Sequence, residues 1–153
     1  TPSAIALSRQ KVPYINPKNT RENKSEKGAY IVNLTSHESN VTLVASGTEV
    51  ELALKVQEKL KENNIHSKVV SMPCMELFDK QPEDYRKDIL EENSLIVTIE
   101  AGSIMSWQKY VKNKGLNLGI DKFGESAPYK EVYKHFNLSE EDITNFIQKK
   151  IRE

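Results

Sequence analysis

The chain contains a single cysteine, Cys74, so an internal disulfide is excluded. That usage fits a reducing compartment. It has no excess of either charge: lysine plus arginine and aspartate plus glutamate number 22 each. A balanced chain gives no electrostatic case for nucleic acid or an anionic membrane as partner. No apolar run approaches the ~20 residues of a membrane span, and no secretory leader pattern opens the sequence. The three histidines are scattered at 37, 66 and 135, without metal-ligand spacing, and Cys74 has no cysteine partner, so a zinc site is not expected. Apolar residues make up only 37% of the chain, which calls for a strongly polar surface or an unpacked segment.

The residues present divide into two stretches. Residues 1–27 hold a short apolar strand, Ala4 to Leu7, then Lys11 to Lys27 with Pro13, Pro17 and almost nothing apolar. The first piece reads as a buried strand cut from a larger protein, and the second as a linker. A compact domain is expected over residues 28–153. There, strands are expected at Ala29–Leu34, Val41–Ala45, Lys68–Met72, Leu95–Ile99 and, weakly, Leu116–Ile120. Val41–Ala45 is apolar nearly throughout, as suits a strand covered on both faces.

Helices are expected between these strands. Thr48 with Glu51 has the spacing of a capping box, and Leu52, Ala53, Val56 and Leu60 follow on one face. Shorter helical pieces fall at 76–80, 82–90, 104–111 and 128–136. The last helix starts at Ser139 as N-cap with Asp142 at N3 and a Leu138/Ile143 staple. Its expected buried stripe is Ile143, Phe146, Ile147 and Ile151. Alternating strands and helices imply an α/β sandwich with a largely parallel sheet.

Several features invite functional readings. Ser46-Gly47-Thr48 is a glycine-containing turn between a strand and a helix, a place where helix amides can hold phosphate. Glu49 and Glu51 load that turn with negative charge, so a structural role is the expectation. Glu100 ends an apolar strand, where α/β proteins place functional groups, yet it has no acid or base partner in sequence. Gly124 is expected to supply a backbone conformation closed to side chains. Trp107 and Tyr110 are expected in the core.

The strings LSRQ (7–10), ASGTEVELA (45–53), VSMP (70–73), EAG (100–102) and FGESAP (123–128) resemble, in that order, the C-terminal domain of the transketolase family. The resemblance implies a three-layer α/β/α sandwich whose five-stranded sheet is mixed and mostly parallel, with the first strand antiparallel. It implies that residues 1–27 are the end of the preceding pyrimidine-binding domain plus a linker. It further implies a cytoplasmic, homodimeric enzyme of the pentose phosphate pathway that moves a two-carbon unit from a ketose phosphate to an aldose phosphate. In that enzyme thiamine diphosphate and Mg²⁺ or Ca²⁺ sit on the earlier domains. No GDG diphosphate motif occurs here, so no cofactor, metal or catalytic residue is expected in this chain.

Arg9 is the one expected substrate contact. Its LSRQ string is similar to the family segment whose arginine grips the sugar phosphate, and a guanidinium fork matches phosphate oxygens at any working pH. Dihydroxyacetone synthase and 1-deoxyxylulose-5-phosphate synthase share the domain and remain alternatives. So does a free-standing anion-binding module built on the Gly47-Thr48 turn.

Overall fold

The computed structural model describes residues 4, 10–15, 23–35, 39–91, 93–111 and 114–153. Five strands form one sheet: β1 (Tyr30–Leu34), β2 (Val41–Ala45), β3 (Ser67–Ser71), β4 (Leu95–Ile99) and β5 (Leu116–Leu118). Their order is β1-β3-β2-β4-β5. β1 runs antiparallel to β3, and every other neighbouring pair is parallel. The pairing of β1 slips between Ile31 and Asn33. The mixed sheet with an antiparallel first strand is therefore as expected.

Side-chain alternation divides the core in two. On one face Val41, Leu43 and Ala45 of β2, Val69 of β3 and Val97 and Ile99 of β4 meet α1 (Glu49–Glu62) and the C-terminal helix. On the other face Val44, Val70 and Ile96 meet Phe78 of α2 (Met75–Asp79), Ile89 of α3 (Glu83–Leu90), and Trp107 and Tyr110. The last two lie on the helical piece expected at 104–111, which is a 3-10 helix over Met105–Tyr110. With α4 (Tyr129–His135) and α5 (Glu140–Arg152) the molecule is a three-layer α/β/α sandwich.

Five residues of β2 are buried without exception, because the strand lies centrally between β3 and β4. The second face also carries polar side chains that must be satisfied where they sit. Thr98 donates to Asn117 (2.6 Å), Thr42 and Ser94 share a hydroxyl contact (2.6 Å), and Lys68 reaches the Asp88 carbonyl (2.7 Å). Within the stretch read as linker, Ile15 packs against the first face and Lys24–Lys27 form a 3-10 helix.

Three local expectations are corrected. Thr48 does not cap α1: its backbone is already helical (φ −68°, ψ −25°), and its hydroxyl donates to Glu49 instead (2.6 Å). In α5 only Ile143, Thr144 and Ile147 are buried, while Phe146 and Ile151 are exposed. The helix lies beside α1 on the first face, and only Ile143, Thr144 and Ile147 turn into that core, so its buried face is narrower than the sequence stripe. Gly124 has no positive φ, and a Cβ there would meet nothing within 4 Å. The Ser139 cap, by contrast, is present: its hydroxyl accepts from the Asp142 amide (3.2 Å), and Leu138 and Ile143 are both buried.

Candidate functional site

Parallel strands of α/β sheets deliver functional groups at their carboxyl ends. Here β2 ends in Ser46-Gly47-Thr48 and β4 ends in Glu100. Glu49 opens α1 yet is buried, because Thr48 and Tyr133 of α4 both donate to its Oε1. Glu100 is half-buried and accepts from Trp107 Nε1 (3.1 Å) and Ser46 Oγ (3.4 Å). Two carboxylates therefore meet at one edge, each held by neutral donors and, among the described residues, neither ion-paired with a cation.

The environment shifts the Glu100 proton. Burial pushes Glu100 above its ordinary value of 4.5, the Glu49 carboxylate adds to that, and the Trp107 and Ser46 hydrogen bonds oppose it. Burial, then the bond to Glu49, also raises the Tyr133 phenol. The folded chain thus holds the Glu100 proton more tightly than the unfolded one. The associated stability is full below pH 4.5 and is lost as pH rises through the raised folded value. Glu100→Gln cannot lose it. Urea midpoints measured upward from pH 4.5 should show the variant gaining on the wild type; a constant or shrinking difference would contradict the assignment.

This edge does not serve as an anion cradle. The Glu49 and Val50 amides bond the Ser46 and Gly47 carbonyls (3.1 and 3.4 Å), and the Thr48 hydroxyl is engaged. A phosphate there would face Glu49 and Glu100. The same chemistry does not fit thiamine diphosphate, which needs cationic or metal neutralisation. Among the described residues no group of three histidine, cysteine, aspartate or glutamate side chains could hold a metal ion.

Arg9 lies outside the described residues. Its neighbour Gln10, with Lys11 and Val12, lines a cleft of about 400 Å³ beside Lys55, Lys130 and Tyr133. Lys55 is already paired with Glu51 (2.7 Å).

Asp121, Trp107, Tyr110 and Cys74 have partners within the fold. Asp121 accepts from Ser103 Oγ (2.8 Å) and the Ile104 amide (3.0 Å), tying β5 to the 3-10 helix. Trp107 and Tyr110 are buried, and Tyr110 donates to Asp79 (2.8 Å). Cys74 is partly buried with its thiol near Glu76. Sequence reasoning missed the Glu49–Tyr133 pairing. The sequence carries no signal for it, since α4 has two tyrosines and two lysines and nothing singles out Tyr133.

Residues 28–139 match the family described as Transketolase-like TK C-terminal domain. The chain is 42% identical over 146 residues to the chloroplastic transketolase of Solanum tuberosum, covering 94% of itself and 19% of that protein. Among solved structures, a transketolase variant from Pichia stipitis superposes with a TM-score of 0.83 at 29% identity, over 94% of this chain and 20% of that one. A Pichia stipitis transketolase in complex with sedoheptulose 7-phosphate superposes at 0.77 and 30% identity, over 84% of this chain and 18% of that one. The chain thus spans about a fifth of these relatives. With the five-stranded sheet, its antiparallel first strand and the sequence match in agreement, this chain belongs to the transketolase C-terminal domain family.

Proposed function

We propose that this chain is the C-terminal part of a thiamine-diphosphate-dependent ketol transferase, with residues 1–27 as the end of the preceding domain and a linker, and residues 28–153 as the domain proper. The observation that carries the reading is a match along nearly the whole chain to transketolases about five times longer, from Solanum tuberosum and Pichia stipitis. In the whole enzyme, a homodimer of the pentose phosphate pathway in the cytoplasm, a ketose phosphate such as xylulose 5-phosphate gives up a two-carbon unit to an aldose phosphate. Thiamine diphosphate, bound with Mg²⁺ or Ca²⁺ by the earlier domains, would supply the carbanion chemistry. The carboxylate-lined edge described above, where Glu49 and Glu100 are held by Thr48, Tyr133, Trp107 and Ser46, supports a packing role for the domain itself.

Arg9 is the one substrate contact in this chain, gripping the sugar phosphate. The sedoheptulose 7-phosphate bound by the Pichia relative is a ligand of the right class. In the full-length enzyme Arg9→Ala should raise KM for phosphorylated substrates by about 10- to 150-fold, the equivalent of losing ~1.5–3 kcal/mol from a charge-assisted contact. KM for hydroxypyruvate, which has no phosphate, should stay near the wild-type value. Equal changes with both substrates would remove Arg9 from the phosphate site.

A further inference from the structure

Residues 121–130 between β5 and α4 are all exposed. Within them Phe123 is 97% exposed, and beside it Met105 is 76% exposed. With Ser103, Gln108 and Ile120 they line an open depression of about 650 Å³ at the carboxyl edge of the sheet. Leaving a whole aromatic ring in water forfeits about 1.5–3 kcal/mol of burial. The ring is presented rather than loose, because its approach is anchored. Asp121 is bonded to Ser103 and Ile104 (2.8 and 3.0 Å), and Lys122 Nζ lies 5.1 Å from the Phe136 ring centroid. The strings carrying the family resemblance differ in the same respect. ASGTEVELA joins β2 to α1 and VSMP closes β3, whereas every residue of FGESAP is exposed up to Pro128 at the start of α4.

We propose that the Met105–Phe123 patch is the seat of a contact with the remainder of the same polypeptide, the part that precedes this segment in the family's longer members. The inference rests on the reading of the chain as one piece of a larger transferase. Two observations choose the occupant. The relatives are about five times longer than this chain, so a large surface is available to cover the patch. The patch is also too small for free association. One aromatic ring buries about 150–250 Å², so Phe123 and Met105 fall well short of the ~800 Å² per partner of a specific complex. A tethered domain meets its partner at an effective concentration near millimolar, and for it a small apolar contact suffices. The occupant presents an apolar recess that takes the Phe123 ring and the Met105 thioether.

The test uses the full-length enzyme carrying Phe123→Cys, Met105→Cys or, as an exposed control on α1, Glu58→Cys. Maleimide labelling is followed site by site by mass spectrometry. The two patch positions should react about tenfold or more slowly than the control in the native enzyme, and equally fast in guanidinium chloride. A benzophenone attached at position 123 should then cross-link to residues preceding Thr1 in a product of single-chain mass. Labelling at the control rate overturns the contact, and a cross-linked product of two chains replaces it with a contact between copies. Transferase activity of the same preparations is scored separately. Protected cysteines in an enzyme without ketol transfer would sink the functional reading and leave the contact standing; an active enzyme with unprotected positions would do the reverse.

Discussion

Replacing Gly28 with alanine is expected to cost roughly 3–5 kcal/mol of folding free energy, a large part of the 5–15 kcal/mol that stabilises an ordinary domain. Gly28 ends the first 3-10 helix with φ +82°. A side chain there carries about 1–2 kcal/mol of backbone strain. The larger cost is contact. A Cβ would lie 2.2 Å from the Phe78 amide nitrogen and 2.4 Å from the Cys74 carbonyl oxygen. Both are backbone atoms of the α2 turn, and neither can swing aside as a side-chain tip would. The Gly28 carbonyl also accepts the Cys74 amide (3.1 Å), so moving apart sacrifices that bond. Gly47 provides the control, with φ +53° and open space where its Cβ would go. Gly47→Ala should cost only about 1–2 kcal/mol. Urea unfolding of both variants measures the difference, and equal losses would show that α2 does not press on Gly28.

The second large effect is at Lys68. It sits inside β3 at 3% exposure, pairs with Glu91 (3.0 Å), and donates to the Asp88 carbonyl at the end of α3 (2.7 Å). Glu91 in turn accepts from the Ser39 amide, and its carbonyl accepts from Ser94. One ammonium thus fastens α3 to the sheet. Lys68→Ala removes the apolar stem and the charge together and should cost about 3–5 kcal/mol, or roughly 10 °C in Tm for a chain of this size. Lys68→Met keeps most of the volume and should cost about half as much. Pairing Lys68→Met with Glu91→Gln should recover part of that loss, because the carboxylate no longer lacks its partner. Strict additivity of the two substitutions would mean the ion pair contributes nothing.

Both effects depend on contacts that cross the sequence, and this is where sequence reading stops. The nearly apolar run of Val41–Ala45 announced a strand covered on both faces, since only Thr42 interrupts it. Ser139, three residues before Asp142, announced its cap because the motif closes within one turn. Thr48 with Glu51 has the same spacing, yet Thr48 takes up helical backbone angles and its hydroxyl turns to Glu49. Local spacing leaves the choice between those outcomes to the turn's surroundings. Lys68 looks like the polar start of a strand until α3 folds over it. Glu49 and Tyr133, 84 residues apart, have no sequence signature of meeting. The narrow buried face of α5 follows from its packing beside α1, which periodicity cannot specify. Arg9 was legible through family resemblance alone, since a lone arginine beside a polar stretch carries little information of its own.

The slip between Ile31 and Asn33 lies on an outermost strand. A strand from another molecule can extend a sheet only where backbone amides and carbonyls run in an unbroken row. On this rim the row is kinked, and on the far rim β5 offers only three residues. Neither border is a template for fibril growth. A copy of this domain separated from its parent, by gene fission or by a protease, would meet its neighbours without a seam along which to polymerise.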